Sequence, residues 1–80
     1  MNGRVIVVKA ALDTEAGVWF VESSDLPGLC IEAETIEKLI DKLPAAVSDL
    51  LECEKDGQEY DVPIELIAHA STRARVRADA

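Results

Sequence analysis

Six carboxylates lie close together along the first half of the chain, and converging carboxylates are the side chains that hold divalent metal ions for phosphoryl-transfer chemistry. They are Asp13, Glu15, Glu22, Asp25, Glu32 and Glu34. Their spacing fits no metal-binding motif, and we expect them in turns or on solvated strand faces. The sequence therefore predicts no catalytic residue, no metal site and no cofactor site.

The other reactive side chains also lack the neighbours that catalysis needs. His69 is the single histidine and has no nucleophile at a recognisable spacing. Ser23 and Ser24 are not framed by the glycines of a nucleophile elbow. Cys30 and Cys53 lie in different predicted elements without the spacing of a zinc site, so we expect free thiols that pack as small core residues. We predict a protein that is not an enzyme.

The charge is strongly lopsided. The 80 residues carry 8 basic and 16 acidic side chains, a formal charge of −8. Residues 1–70 hold five of the basic and fifteen of the acidic residues, whereas residues 71–80 hold three arginines and one aspartate. An acidic body repels phosphate backbones and favours a basic protein partner, so no direct DNA binding is expected. The alternative is that the acids only keep the protein soluble.

The length predicts one small domain, residues 1–70, followed by a basic tail, residues 71–80, with arginines at positions 73, 75 and 77. So short a chain buries a modest core, which makes a homo-oligomer a reasonable expectation. No apolar run approaches the roughly 18 residues that span a bilayer. No signal-like segment is apparent, so we expect a cytoplasmic protein and no membrane association.

Hydrophobic patterning predicts four strands and one helix in the order β-β-β-α-β. The predicted strands span residues 4–12, 18–22, 29–34 and 62–70. Consecutive β-branched residues suit the first strand to the centre of a sheet, and Pro63 suits the last to an edge. The expected fold class is α+β, with a mainly antiparallel sheet and one helical layer on one face.

The clearest local signals surround a loop, Asp25-Leu26-Pro27-Gly28. Pro27 and Gly28 favour a chain reversal, and Thr35 is a suitable N-cap for the helix that follows. Apolar residues recur at three- and four-residue steps from Ile36 onward. Pro44 interrupts this pattern, which leaves two alternatives: one kinked helix, or a short helix followed by a second that Pro44 opens. Asp56-Gly57 is the expected end of the helical region.

A single helix covers only one face of a sheet. We predict that the other face is apolar and is covered by a second subunit or a partner. The candidates for this oligomer face are Val5, Val7, Trp19 and Val21.

The Asp25-Leu26-Pro27-Gly28 loop, a short strand, Thr35-Ile36-Glu37 and an acidic amphipathic helix together resemble the HicB-like antitoxin family. The Gly17-Val18-Trp19-Phe20-Val21 segment is also similar, and the resemblance covers about residues 3–70. It implies a partly degraded ribonuclease H-like domain. It further implies an interaction protein that binds and neutralises a small basic ribonuclease, the HicA-like toxin.

Two features depart from the family pattern. Longer members carry a C-terminal DNA-binding domain, and a chain ending at Ala80 is too short for one, so operator binding is not expected. Pro44 also interrupts a helix that is usually continuous. Two alternative functions stay open: a solitary oligomeric HicB-like scaffold or regulator without a toxin, and a residual metal-dependent ribonuclease H-like nuclease.

Four acids are the candidate partner-binding residues: Glu22, Asp25, Glu32 and Glu34. For Asp25 we favour a structural role over direct partner contact. Its carboxylate is expected to cap the loop by accepting hydrogen bonds from backbone amides two residues further along the chain.

Overall fold

The computed structural model describes residues 5–52 and 61–79, and these form four strands and one helix. The elements are β1 (Ile6–Asp13), β2 (Val18–Ser24), β3 (Glu32–Ala33), α1 (Ile36–Glu52) and β4 (Ile64–His69). This order confirms the predicted α+β class and the β-β-β-α-β sequence of elements. The third strand is shorter than predicted, because only two of its residues pair with β2.

The four strands form one mixed sheet in the order β3-β2-β1-β4. β2 pairs antiparallel with both β1 and β3, while β4 lies parallel to β1. Helix α1 follows the β3 edge strand in the chain and packs over one face of the sheet. β1 is therefore central, as its β-branched residues predict, and β4 is an edge strand, as Pro63 predicts.

The turn between β1 and β2 is closed by Asp13. Its Oδ1 accepts hydrogen bonds from the backbone N–H groups of Glu15 and Ala16, at 3.0 and 3.2 Å. The N–H of Gly17 donates to the carbonyl of Asp13 at 2.8 Å, and Gly17 has a φ of 71°. This confirms Gly17 as the positive-φ position of the turn.

A β-bulge in β2 sets which residues face the helix. Lys9 lies opposite Ser23, but the next residue, Ala10, lies opposite Val21, so Glu22 is the additional residue of β2. Ala10 is fully buried in the core beneath α1. Because paired residues share a face, Val21 also points toward the helix.

Two of the four residues predicted for the oligomer face do not lie on the uncovered side of the sheet. Trp19 and Val21 pack against the core beneath α1. Val7 lies opposite Glu65 on the other side of the sheet, and Val5 is exposed. The sequence predicts correctly that Trp19 and Val21 share a face, but their pairing with Leu12 and Ala10 puts them on the face opposite to that of Val7.

The core lies between the sheet and one side of α1. The helix contributes residues at four-residue steps, which are Leu39, Leu43, Val47 and Leu51. They pack with sheet residues that include Ile6, Val8 and Ala10, all fully buried. Full burial of such an aliphatic side chain contributes about 1.5–3 kcal/mol.

Helix α1 is a single element that runs through Pro44. Thr35 caps it as predicted: its Oγ1 accepts from the N–H of Lys38 at 3.1 Å, and its carbonyl accepts from the N–H of Leu39 at 3.0 Å. Of the two alternatives, the structure therefore shows one helix rather than two. The exposed Pro44 ring lies away from the core. The expected end at Asp56-Gly57 lies outside the described residues.

The segment before β3 alternates in the predicted sense. Leu29 is buried and Ile31 packs against both parts of the core. Cys30 lies between them as an exposed free thiol, so the prediction that it is a core residue is wrong. It points outward because the two apolar neighbours occupy the inward positions. Cys53 lies outside the described residues.

Candidate functional site

The Asp25-Leu26-Pro27-Gly28 loop folds around a buried leucine. Leu26 is 7% exposed and belongs to the core. The hydroxyl of Ser24 accepts from the N–H of Leu26 at 3.1 Å and donates to its carbonyl at 2.7 Å. The N–H of Leu29 points back to the Leu26 carbonyl at 3.4 Å, and Gly28 has a φ of 90°. Proline followed by a positive-φ glycine is the residue pattern of a type II turn.

Asp25 has a structural role, but a different one from that predicted. Its Oδ2 accepts a hydrogen bond from the N–H of Val7 at 3.0 Å, and its own N–H donates to the Val7 carbonyl at 3.0 Å. The expected bonds to amides two residues further along the chain do not form; Ser24 binds Leu26 instead. Asp25 therefore joins the loop to β1.

One face of the sheet is left uncovered by α1, and we call it the open face. Cross-strand pairing places residues from all four strands on it. They are Val7, Lys9 and Ala11 from β1, Phe20 and Ser23 from β2, Glu32 from β3, and Glu65, Ile67 and His69 from β4. The unpaired bulge residue Glu22 joins them through its bond to His69. Within the described residues, no helix or loop packs across this face. The open face is the candidate interaction surface.

A hydrogen bond crosses the open face above the central strand. Nε2 of His69 lies 2.9 Å from Oε1 of Glu22, although the two residues belong to strands on opposite sides of β1. Ala11 lies between them, opposite both His69 and Phe20, and is only 8% exposed. The small alanine leaves room for the two side chains to meet. His69 is thus paired, a contact that spacing along the sequence does not reveal.

The four candidate partner-binding acids do not form one cluster. Glu22 and Glu32 lie on the open face, and the Glu32 carboxylate has no hydrogen bond or ion pair among the described residues. Asp25 is at the end of the β1–β2 pairing, bonded to Val7. Glu34 precedes the helix and forms an exposed ion pair with Lys38 at 3.5 Å.

A third acid on the open face is not among those that the sequence singles out. Glu65 is exposed on β4, beside Val7 of the central strand. Its neighbour on the same face is Ile67, which is 44% exposed. Because β4 shows only an ordinary alternation of polar and apolar residues, the strand pairing is what identifies Glu65 as part of this surface.

A shallow groove of about 590 Å³ opens beside β3. Its lining residues are Asp13, Phe20, Val21, Cys30, Ile31, Glu32 and Lys42. Lys42 donates to the main-chain carbonyl of Glu32 at 2.8 Å, which ties α1 to the short edge strand. Across residues 5–52 and 61–79, no group of three or more acidic, histidine or cysteine side chains is arranged to hold a metal ion. In the same residues, no helix has the length and apolarity needed to cross a membrane.

A family model described as a domain of unknown function, DUF1902, matches residues 5–78. The chain belongs to the DUF1902 family. The match spans the sheet, the helix and nearly all of the C-terminal segment. The description gives no activity for DUF1902, so the HicB-like resemblance stays a prediction. Among curated proteins, none matches the chain significantly.

The DUF1902 chain is also similar to a solved structure, the hypothetical protein TTHA1013 from the extremely thermophilic bacterium Thermus thermophilus. The two are 42% identical, and the similarity covers 91% of this chain and 100% of the other. The TM-score is 0.62. This similarity indicates that the two proteins share a fold over most of the chain.

Proposed function

We propose that this protein is an antitoxin-type interaction protein that binds and neutralises a small basic ribonuclease toxin of the HicA type. The observation that carries the proposal is the open face, where apolar side chains lie beside exposed carboxylates. Phe20 and Val7 are half-buried and Ile67 is 44% exposed. Glu32 and Glu65 lie on the same face.

Charge favours a basic occupant for this surface. The chain carries a formal −8. On the open face, Lys9 is outnumbered by three carboxylates, which are those of Glu22, Glu32 and Glu65. An acidic surface accelerates encounter with a basic protein and disfavours nucleic acid. A ribonuclease that binds RNA phosphates needs a basic surface, so an acidic protein can cover that surface. Such a pair would act in the cytoplasm, where the messenger RNA is.

The resemblance around the loop gives a second support. Asp25-Leu26-Pro27-Gly28 positions the chain between β2 and β3, and its Leu26 is built into the core. The loop therefore contributes to the core of the fold that presents the open face. It does not itself supply the partner contacts, because the Asp25 carboxylate is bonded to Val7.

The experiment is a capture from the native host at low salt, followed by mass spectrometry of what co-elutes. The variant is Glu22→Lys/Glu32→Lys, which reverses two open-face charges. The matched control is Asp41→Lys/Asp49→Lys, which makes the same charge change on exposed positions of α1. We expect wild type and control to retain a stoichiometric small basic protein that is released by added salt. The open-face variant should bind it at least about tenfold more weakly, a loss of ~1.4 kcal/mol.

The captured protein must also degrade RNA when freed from the complex. Absence of any basic partner at low salt would remove the antitoxin role. Loss of the partner from the α1 control, with retention by the open-face variant, would place the contact on the helix rather than on the open face.

The solitary oligomeric scaffold or regulator is a second candidate. An exposed basic segment after β4, whose residues 70–79 are all exposed, favours self-association. Recovery of the protein with only copies of itself would support this role.

A further inference from the structure

The C-terminal segment extends far from the body. Residues 70–79, which we call the arm, are all exposed. The molecule measures 68 × 26 × 19 Å, and its radius of gyration is 16.8 Å. A compact 80-residue domain has a radius of gyration of about 12 Å. Ten extended residues span about 33 Å, roughly half of the longest dimension. The arm therefore accounts for the elongated shape.

Within residues 5–52 and 61–79, the arm makes no polar contact that would hold it to its own body. Among the described residues, no hydrogen bond or ion pair joins it to the sheet or to α1. Val76 is 80% exposed, far more than Val5, Ile40 or Ile67, the other exposed large hydrophobic residues. Val76 and the three arginines of the arm therefore gain no stabilising contact from the described residues of their own chain.

The strand from which the arm emerges has a free edge. In the part of the chain that the structure describes, β4 pairs with β1 along one side only, so the backbone groups on its other side are available to a further strand. Beside this edge, Ile64 and Leu66 are half-buried on the helix side of the sheet, and Ile67 is exposed on the open face. A strand added at this edge would cover Ile64 and Leu66 on the helix side and Ile67 on the open face.

Symmetry decides which side chains would meet. If two copies pair their β4 edges antiparallel about a two-fold axis perpendicular to the sheet, each arm continues along the β4 edge of the other copy. This axis keeps the open faces of the two copies on the same side of the combined sheet. Alternation along the arm then puts its three arginines, Arg73, Arg75 and Arg77, on the face that carries Glu65. Val76 falls on the face of Ile64 and Leu66.

We infer that the arm binds the free β4 edge of a second copy of this chain, giving a reciprocal dimer with a continuous sheet. The charge pattern supports this occupant, because a basic arm of three arginines meets an acidic body of the same protein. The arm occupies the sheet edge, and among the open-face acids its arginines meet Glu65 on β4. Glu22 and Glu32 lie on β2 and β3, beyond β1, so the dimer leaves the two acids that test the proposed toxin binding accessible.

The first test is the mass of the full-length protein in solution, measured by light scattering over a range of concentrations. Wild type should have twice the 8.7 kDa chain mass. Val76→Glu should raise the dimer dissociation constant at least about tenfold. The matched control is Ile40→Glu, which places the same charge at an exposed hydrophobic position on α1 and should leave the dimer unchanged. A monomeric wild type, or a Val76→Glu protein as dimeric as wild type, would overturn the inference.

The second test uses charge exchange between two full-length variants. The Arg73→Glu/Arg75→Glu/Arg77→Glu protein should dimerise poorly, because its acidic arms would meet Glu65. The Glu65→Arg protein should also dimerise poorly, because its basic arms would meet a basic side chain. Mixed together, the two should form a heterodimer, since the unchanged arm then meets an unchanged edge and the altered arm an altered edge. Native mass spectrometry distinguishes the species. A mixture that remains as poorly associated as its components would contradict the arm-to-edge contact.

Discussion

The carboxylate of Asp25 accepts a hydrogen bond from the backbone N–H of Val7 at 3.0 Å, while the Asp25 N–H donates to the Val7 carbonyl at the same distance. In a regular antiparallel pair, the acceptor for the Val7 N–H would be the main-chain carbonyl of the opposite residue. Here a side chain takes its place. The chain can therefore leave the sheet at Pro27 without leaving Val7 unpaired.

Replacement of Asp25 by alanine should destabilise the fold by about 1 kcal/mol, because the Val7 amide loses its acceptor at the end of the β1–β2 pairing. Urea denaturation measures the change, and hydrogen exchange should show faster exchange at Val7. Asp61→Ala is the control, since Asp61 is an exposed carboxylate without a hydrogen bond among the described residues. Equal stability of the two variants would show that the hydrogen bond from Val7 to Asp25 contributes no measurable stability.

The N-cap of α1 gives a second prediction. Thr35→Ala removes the oxygen that accepts from Lys38 and should cost about 1 kcal/mol. Thr35→Ser keeps the hydroxyl and should stay within a few tenths of a kcal/mol of wild type. Thermal and urea unfolding of both proteins measure the difference. If serine were as costly as alanine, the methyl group rather than the cap would matter.

Pro44 should limit the stability of α1. It lies inside the helix, removes one backbone hydrogen bond and is exposed. Pro44→Ala should therefore stabilise the protein by about 1–2 kcal/mol, after allowance for the greater freedom of the unfolded chain. The contrast is Ala45→Pro, a proline one residue later, which should destabilise by about 3 kcal/mol. Urea denaturation gives both values, and a destabilised Pro44→Ala would show that the helix is adapted to the proline.

The two positive-φ glycines should differ in their tolerance of asparagine. Gly17 has a φ of 71° with no atom within 4 Å of an added Cβ, and Gly28 has a φ of 90° with Leu50 Cδ2 at 3.5 Å. Alanine at either position should cost about 1 kcal/mol for backbone reasons alone. Asparagine should recover more of this loss at Gly17, which is nearer the left-handed helical region, than at Gly28. Equal recovery would contradict this explanation; thermal unfolding decides it.

Local signals predict much of the fold. Consecutive β-branched residues locate the central strand, Thr35 the start of α1, and Gly17 and Gly28 the two positive-φ positions. Each depends on the chemistry of a few neighbouring residues. Local signals do not show whether α1 continues through Pro44 or ends there. That outcome depends on how much of the rest of the helix is buried.

The candidate surface is less predictable, because it depends on pairing between distant residues. The bulge at Glu22 shifts the register and places Trp19 and Val21 beneath α1. The Glu22–His69 bond joins residues 47 positions apart and depends on a small Ala11 between them. Glu65 joins the surface only through the parallel pairing of β4 with β1.

The acidic open face is proposed to cover a basic ribonuclease. The most direct measurement is the RNA-degrading activity of the purified captured partner, titrated with wild type, with Glu22→Lys/Glu32→Lys and with Asp41→Lys/Asp49→Lys. We predict stoichiometric inhibition by wild type and by the α1 control, and at least about tenfold weaker inhibition by the open-face variant. Ribonuclease activity that is unaffected by a molar excess of wild type would contradict the proposal.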